Sequence, residues 1–173
     1  MKLLNIIITT TILASGSVAS EFIPYKKMAG KLLQENKKNG LFATTAEVKK
    51  ALHSKDTLVV DVRTHQEWDA AHIKGSVRVG RQVPEMAIAN FALNLDNKFI
   101  KNKLIVVCNT AHRASIEAII FRKMGFKQVK VYPIDKWIDK CNPIFTKYSE
   151  QKYKEGTNHK FGAFYPEKCY TKK

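Results

Sequence analysis

Four aliphatic residues, Leu104-Ile105-Val106-Val107, run straight into Cys108, and a helix-forming segment begins shortly afterwards at Ala114. The run is short, bounded and rich in β-branched residues, so it reads as a strand buried on both faces. From Ala114 to Met124 the apolar positions Ile116, Ile119, Ile120 and Met124 fall on one helical face. Gly125 stands where a C-cap glycine belongs. A buried strand that hands over to a helix through a short loop is the building unit of parallel α/β sheets, which place ligands at the carboxyl ends of their strands. Cys108 occupies that position.

The remainder of the chain repeats the alternation. Thr44 or Thr45 caps a helix through Ala46 to Leu52. Leu58-Val59-Val60, ending in Asp61, is a second buried strand, and Ser76 to Val79 a weaker third. Val129 to Tyr132 is a fourth, stopped by Pro133, and Leu41 to Ala43 supplies a fifth. The expected domain is α/β with a mostly parallel sheet. Residues 21–40 are polar and lysine-rich, a lead-in segment with one short helix. After about Asn142 the chain turns aromatic and basic without a clear period, which reads as an extension wrapping the domain.

The first twenty residues stand apart. Lys2 is their one charge, Leu3 to Ala14 is mostly apolar, and Val18-Ala19-Ser20 ends the stretch with small residues. This is the pattern of a cleavable secretory signal peptide. The stretch is diluted by Asn5, three threonines and a Ser/Gly-rich end, whereas a retained span wants about 20 predominantly apolar residues. The expectation is export to a bacterial periplasm, or secretion, with no stable membrane insertion after cleavage. The net charge of +15 in 173 residues raises nucleic acid or an anionic surface as partners. The lysines are scattered, however, and no nucleic-acid motif accompanies them. The charge fits a solvated surface, or one that attracts small anions, and no nucleic-acid partner is expected.

Three cysteines remain, Cys108, Cys141 and Cys169. An odd count in an oxidising compartment leaves at least one thiol free or bonded between chains. Two pairings stay open: Cys141 with Cys169, closing the C-terminal extension, or Cys169 with Cys108 as a resolving thiol. The loop after Cys108 reads Asn109-Thr110-Ala111-His112-Arg113. In a strand-to-helix turn such a loop aims backbone N–H groups inward at the positive end of the helix dipole. With His112 and Arg113 close by, the expected effect is a lowered thiol pKa and a reactive thiolate. His65, His72, His159 and Cys169 lack the spacing of a zinc site, so no metal is expected. Trp68 and Trp137 read as core.

Two motifs in order carry a resemblance to the rhodanese family. The first is Asp61-Val62-Arg63 followed by Glu67-Trp68, His72-Ile73 and Gly75; the second is Cys108 with four residues before Arg113, then Ala114. The resemblance covers about Leu41 to Tyr148. It implies a three-layer domain, a parallel five-stranded sheet flanked by helices, at 41–148. On this reading 1–20 is the signal, 21–40 the lead-in and 149–173 a C-terminal extension. It further implies sulfur transfer without cofactor or metal. Cys108 takes the outer sulfur of thiosulfate or polysulfide as a persulfide and passes it to a thiophilic acceptor, possible acceptors including a periplasmic protein. The N–H groups of Asn109 to Arg113 hold the persulfide. Arg113 orients the loop or binds the donor, and His112 adds charge or a proton. Asp61, Arg63, Glu67 and His72 are implied scaffold.

The sequence departs from the family pattern at two places. Ala111 stands where the family often has glycine, and Pro133-Ile134-Asp135-Lys136 replaces a glycine pair ahead of Trp137. Four other readings compete: a periplasmic sulfur carrier, a non-catalytic binding module, a thiol redox protein pairing Cys108 with Cys169, and a phosphatase. Cysteine phosphatases have one residue more between cysteine and arginine, which ranks that reading low.

Overall fold

The computed structural model describes residues 21–147 and 166–169. The signal stretch, His159 and most of the 149–173 extension lie outside the described residues. Four strands form the main sheet: β1 (Thr57–Asp61), β3 (Val77–Arg78), β4 (Lys103–Cys108) and β5 (Gln128–Pro133). Their order is β3-β1-β4-β5, and every pairing is parallel. A two-residue strand, β2 (His72–Ile73), pairs antiparallel with β6 (Ile144–Phe145). The segment expected as a fifth strand is reduced to one parallel bridge, Phe42 with Val131. It still adds to the β5 edge, through Ala43 N–H to Val131 O and Val131 N–H to Leu41 O. It stays this short because Gly40 turns at φ +64° just before it and Thr44 caps a helix just after it.

That helix is α2 (Thr45–Ala51). Thr44 and Glu47 bond each other's backbone in a capping box. The same device opens α3 (His65–Ala70) with Thr64 and Glu67. Two short helices, α4 (Pro84–Ala87) and α5 (Ala89–Ala92), follow β3, and α7 (Ile134–Asp139) follows β5. The sheet separates two cores. Even-numbered residues of β1 and β4, Leu58, Val60, Leu104 and Val106, pack on one side with α6 (His112–Lys123); Val59, Ile105 and Val107 pack on the other with Val48, Ile73, Ile134 and Trp137. Trp137 is buried as expected, whereas Trp68 is only half-buried.

The buried face of α6 is not the one its isoleucines mark. Ala114, Ser115, Ala118 and Phe121 are buried, while Ile120 and Met124 are 38% and 39% exposed. Two neighbours fix this rotation. The sheet lies beneath α6, and α1 (Tyr25–Lys38) packs on it with Ala29 and Leu33 buried. Small residues let both approach closely, and hydrophobicity alone overlooks them. The lead-in is thus a 14-residue helix built into the domain. Its far end is held by Arg122, whose Nη2 donates to buried Asn36 Oδ1 at 2.7 Å and to Val129 O at 3.2 Å. Beyond Lys123 the chain turns through Gly125 at φ +95°. Gly125 N–H reaches Arg122 O, Phe126 N–H reaches Phe121 O, and the two phenyl rings meet edge to face.

Candidate functional site

Cys108 ends β4 and is 1% exposed. Its side chain points to the α6 side of the sheet, among Val106, Ala111 and Ala114. The loop reverses at Ala111, with φ +68° and ψ 0°, and α6 begins at His112. A left-handed alanine costs about 1–2 kcal/mol, so the surroundings hold the turn against its own preference. The turn wraps the loop's N–H groups around the sulfur. Ala114 N–H donates to Cys108 Sγ at 3.4 Å, and the N–H groups of Arg113 and Ala111 also stabilise a charge on it.

The thiol itself is not lowered. Burial pushes its pKa up, and this outweighs the Ala114 amide, the Arg113 charge and the amides of Arg113 and Ala111, which all pull it down. The expectation of a lowered pKa weighed the loop's charge without the depth of the sulfur.

A buried polar network stands behind the loop. Asp61, 1% exposed, takes Arg63 N–H at 2.9 Å, Arg63 Nε at 3.0 Å and Arg63 Nη2 at 2.7 Å. Arg63 Nη2 also donates to Ala71 O at 2.6 Å, and its Nη1 to Asn109 Oδ1 at 3.3 Å. The Asn109 side-chain amide donates in turn to Glu67 Oε1 at 2.9 Å. Glu67 also receives both Nη atoms of Arg113, at 2.6 and 2.7 Å, a bidentate pair. Arg113 holds the Glu67 carboxyl down to about 2, and Glu67 raises Arg113 further above its ordinary value. Glu67 therefore does more than scaffold α3, since it fixes the loop arginine. His72 lies apart, its ring stacked on Trp68 at 3.7 Å and its Nδ1 2.8 Å from Trp68 O. Burial lowers its pKa and keeps it neutral. His112 Nδ1 pairs with the Thr110 hydroxyl at 2.9 Å on the exposed rim.

Of the two cysteine pairings, the structure has Cys141 bonded to Cys169, which leaves Cys108 the free cysteine among the described residues. Cys141 sits at φ +57° just beyond α7, with its N–H on Ile138 O. The other end of α7 touches the loop, where Asp135 N–H donates to Asn109 O at 3.4 Å. A small cavity there is lined by Arg63, Glu67, Asn109, Ile134 and Asp135. Sequence reasoning had no signal for Tyr25 of α1, Arg81 of the turn after β3 and Glu117 of α6, which the fold brings together. Among the described residues no group of three or more His, Cys, Asp or Glu side chains gathers to hold a metal.

Fold and loop together define a parallel α/β domain that presents a cysteine, cradled by backbone amides, at the end of a central strand. The rhodanese-like domain model matches residues 44–138, more than half of the chain, and the chain belongs to the rhodanese-like domain family. Among solved structures it is similar to the polysulfide-sulfur transferase homodimer of Wolinella succinogenes, at 22% identity and TM-score 0.51, over 70% of this chain and 88% of that one. It is also similar to a Rhodopseudomonas palustris protein of unknown function described as a possible tyrosine phosphatase, at 21% identity and TM-score 0.50, over 73% and 97% of the two chains. These likenesses show the fold. Among curated proteins it is 31% identical over 94 residues to the tRNA uridine(34) hydroxylase of Enterococcus faecalis, covering 52% of this chain and 28% of that one. A Streptococcus uberis protein of the same name is 30% identical over a similar stretch. The chain thus spans little more than a quarter of these relatives' length.

Proposed function

We propose that the protein is a sulfurtransferase that carries sulfane sulfur on Cys108. The observation that supports this best is the convergence of the Ala111, Arg113 and Ala114 amides on the Cys108 sulfur, in a loop with four residues between cysteine and arginine. In the first step the Cys108 thiolate attacks the outer sulfur of thiosulfate or polysulfide. A new S–S bond forms, the donor's own S–S bond breaks, and sulfite or a shortened polysulfide leaves with the electron pair. In the second step an anionic acceptor such as cyanide, sulfite or a thiolate attacks the outer persulfide sulfur, and Cys108 leaves as thiolate. The persulfide places its terminal sulfur about 2 Å beyond a thiol that is itself buried, which brings it within reach of an acceptor. Arg113, fixed by Glu67, sets the shape of the loop.

The protein works outside the cytoplasm on this reading. The signal-like first twenty residues and the Cys141–Cys169 disulfide support that, since disulfides persist in oxidising compartments. Small sulfur anions are its donors, and an acceptor protein in the same compartment is a partner of the right chemistry. The experiment is intact-mass spectrometry of the protein after thiosulfate or polysulfide, beside Cys108→Ser. The expected result is a gain of about 32 Da per sulfur in the wild type alone. No gain with either donor, with Cys108 verified as reduced, removes the sulfur-transfer reading and favours a binding module.

A further inference from the structure

Thiosulfate and polysulfide carry negative charge on the part that leaves. A site for them needs a cation with hydrogen-bond donors to spare. The two guanidinium groups nearest the loop are each already paired with a carboxylate. Both Nη atoms of Arg113 are bonded to Glu67, and Arg63 is closed by Asp61, Ala71 O and Asn109. The charges of Asp61, Arg63, Glu67 and Arg113 also cancel.

Arg81 is differently placed. It stands three residues beyond β3, in a turn that Gly80 N–H ties to Asp61 O at 3.4 Å, at the same carboxyl edge of the sheet as Cys108 with β1 between β3 and β4. Its guanidinium lies 5.3 Å from the centre of the Tyr25 ring, a cation–π seat. The nearest carboxylate oxygen, Glu117 Oε1, is 3.9 Å from Nε, too far for a hydrogen bond, and the side chain is 39% exposed. Arg81 makes no hydrogen bond among the described residues. Both of its neighbours lead back to the loop. Tyr25 begins α1, which packs on α6, the helix that carries Arg113 in its first turn. Glu117 is one turn further along α6 from Arg113. The Cys108 side chain faces this same side of the sheet. Arg78 does not, because it is in register with Asp61, whose partner on β4 is Val107 of the opposite face.

We infer that Arg81, seated on the Tyr25 ring, binds the anionic leaving end of the sulfur donor, while Arg113 serves only to hold the loop. This rests on the sulfur-transfer reading above. When the donor's S–S bond breaks, the departing electron pair and charge develop on the sulfite or polysulfide fragment that Arg81 holds.

The test compares thiosulfate with an alkyl hydropersulfide, whose leaving end carries no charge in the bound donor and departs as the thiolate when Cys108 takes the outer sulfur; cyanide is the acceptor, and the proteins are the wild type, Arg81→Gln, Arg81→Lys and Glu117→Gln. The readout is the ratio of kcat/KM for thiosulfate to kcat/KM for the hydropersulfide. In Arg81→Gln this ratio falls by about tenfold, mostly through the KM for thiosulfate, as expected for one lost charge-assisted contact. Arg81→Lys recovers part of it. Glu117→Gln removes a competing carboxylate and raises the ratio by about two- to threefold. An unchanged ratio in Arg81→Gln, or an equal loss for both donors, overturns the assignment while leaving sulfur transfer standing. If Arg81→Gln does not fold, Glu117→Gln decides, and an unmoved ratio there overturns the assignment. A wild-type protein that takes sulfur from neither donor overturns the sulfur-transfer reading, and this assignment with it.

Discussion

Cys108 is held by opposing influences. Burial favours the neutral thiol, and three backbone amides with one guanidinium favour the anion. With burial ahead, the thiolate fraction at neutral pH is smaller than for an ordinary cysteine, and it grows only as the pH passes above the ordinary thiol range. Iodoacetamide should therefore label the resting protein slowly at pH 7 and progressively faster into the alkaline range. Rapid labelling that is flat from pH 6 to 8 contradicts this balance. Glu67 works in the other direction. Its carboxyl is lowered to about 2 by Arg113, so the stabilisation it gives is fully present above the ordinary carboxylate range and is lost as pH falls towards 2. Because the pair is partly exposed, that contribution is about 1 kcal/mol, and acid unfolding of Glu67→Gln should show it as a flatter loss of stability below pH 4.5.

At the scale of elements, α6 carries the clearest packing prediction. Ala118 is fully buried between sheet and helix, and Ile120 is 38% exposed. Ala118→Leu should cost about 1–3 kcal/mol through overpacking, whereas Ile120→Lys should lie within about 0.5 kcal/mol of neutral. Urea denaturation of the two variants measures both. The strands were legible in the sequence because each is a short, bounded run rich in β-branched residues, Leu58–Val60, Leu104–Val107 and Val129–Tyr132. The loop was legible because His112 and Arg113 follow the cysteine within a strand-to-helix turn, at the spacing of the rhodanese pattern, whereas a cysteine at a strand end alone reads as a small core residue. The rotation of α6 was not, because a helix covered on two sides buries alanines and exposes isoleucines. Nor was the length of α1, whose lysines conceal the two apolar contacts it makes. The pairing of Asn109 with both Arg63 and Glu67 joins segments some forty residues apart, beyond any local pattern.

For the whole molecule, every pairing in the main sheet is parallel, so each joins strands separated by a crossover. The bond from Arg122 to Asn36 spans 86 residues and fastens α1 to the finished domain. Such contacts bring no reward until most of the chain is in place, which makes folding slow. α1 buries little besides Ala29, Leu33 and Asn36, so it should also be the least costly element to detach. Amide exchange on the native protein should find α1 opening well before β4; equal protection of the two would mean that they open as one unit. The order of events follows from the chain itself. α1 leaves the ribosome before every surface it will cover, so it is made unpartnered and docks only when α6, much further along the chain, has formed.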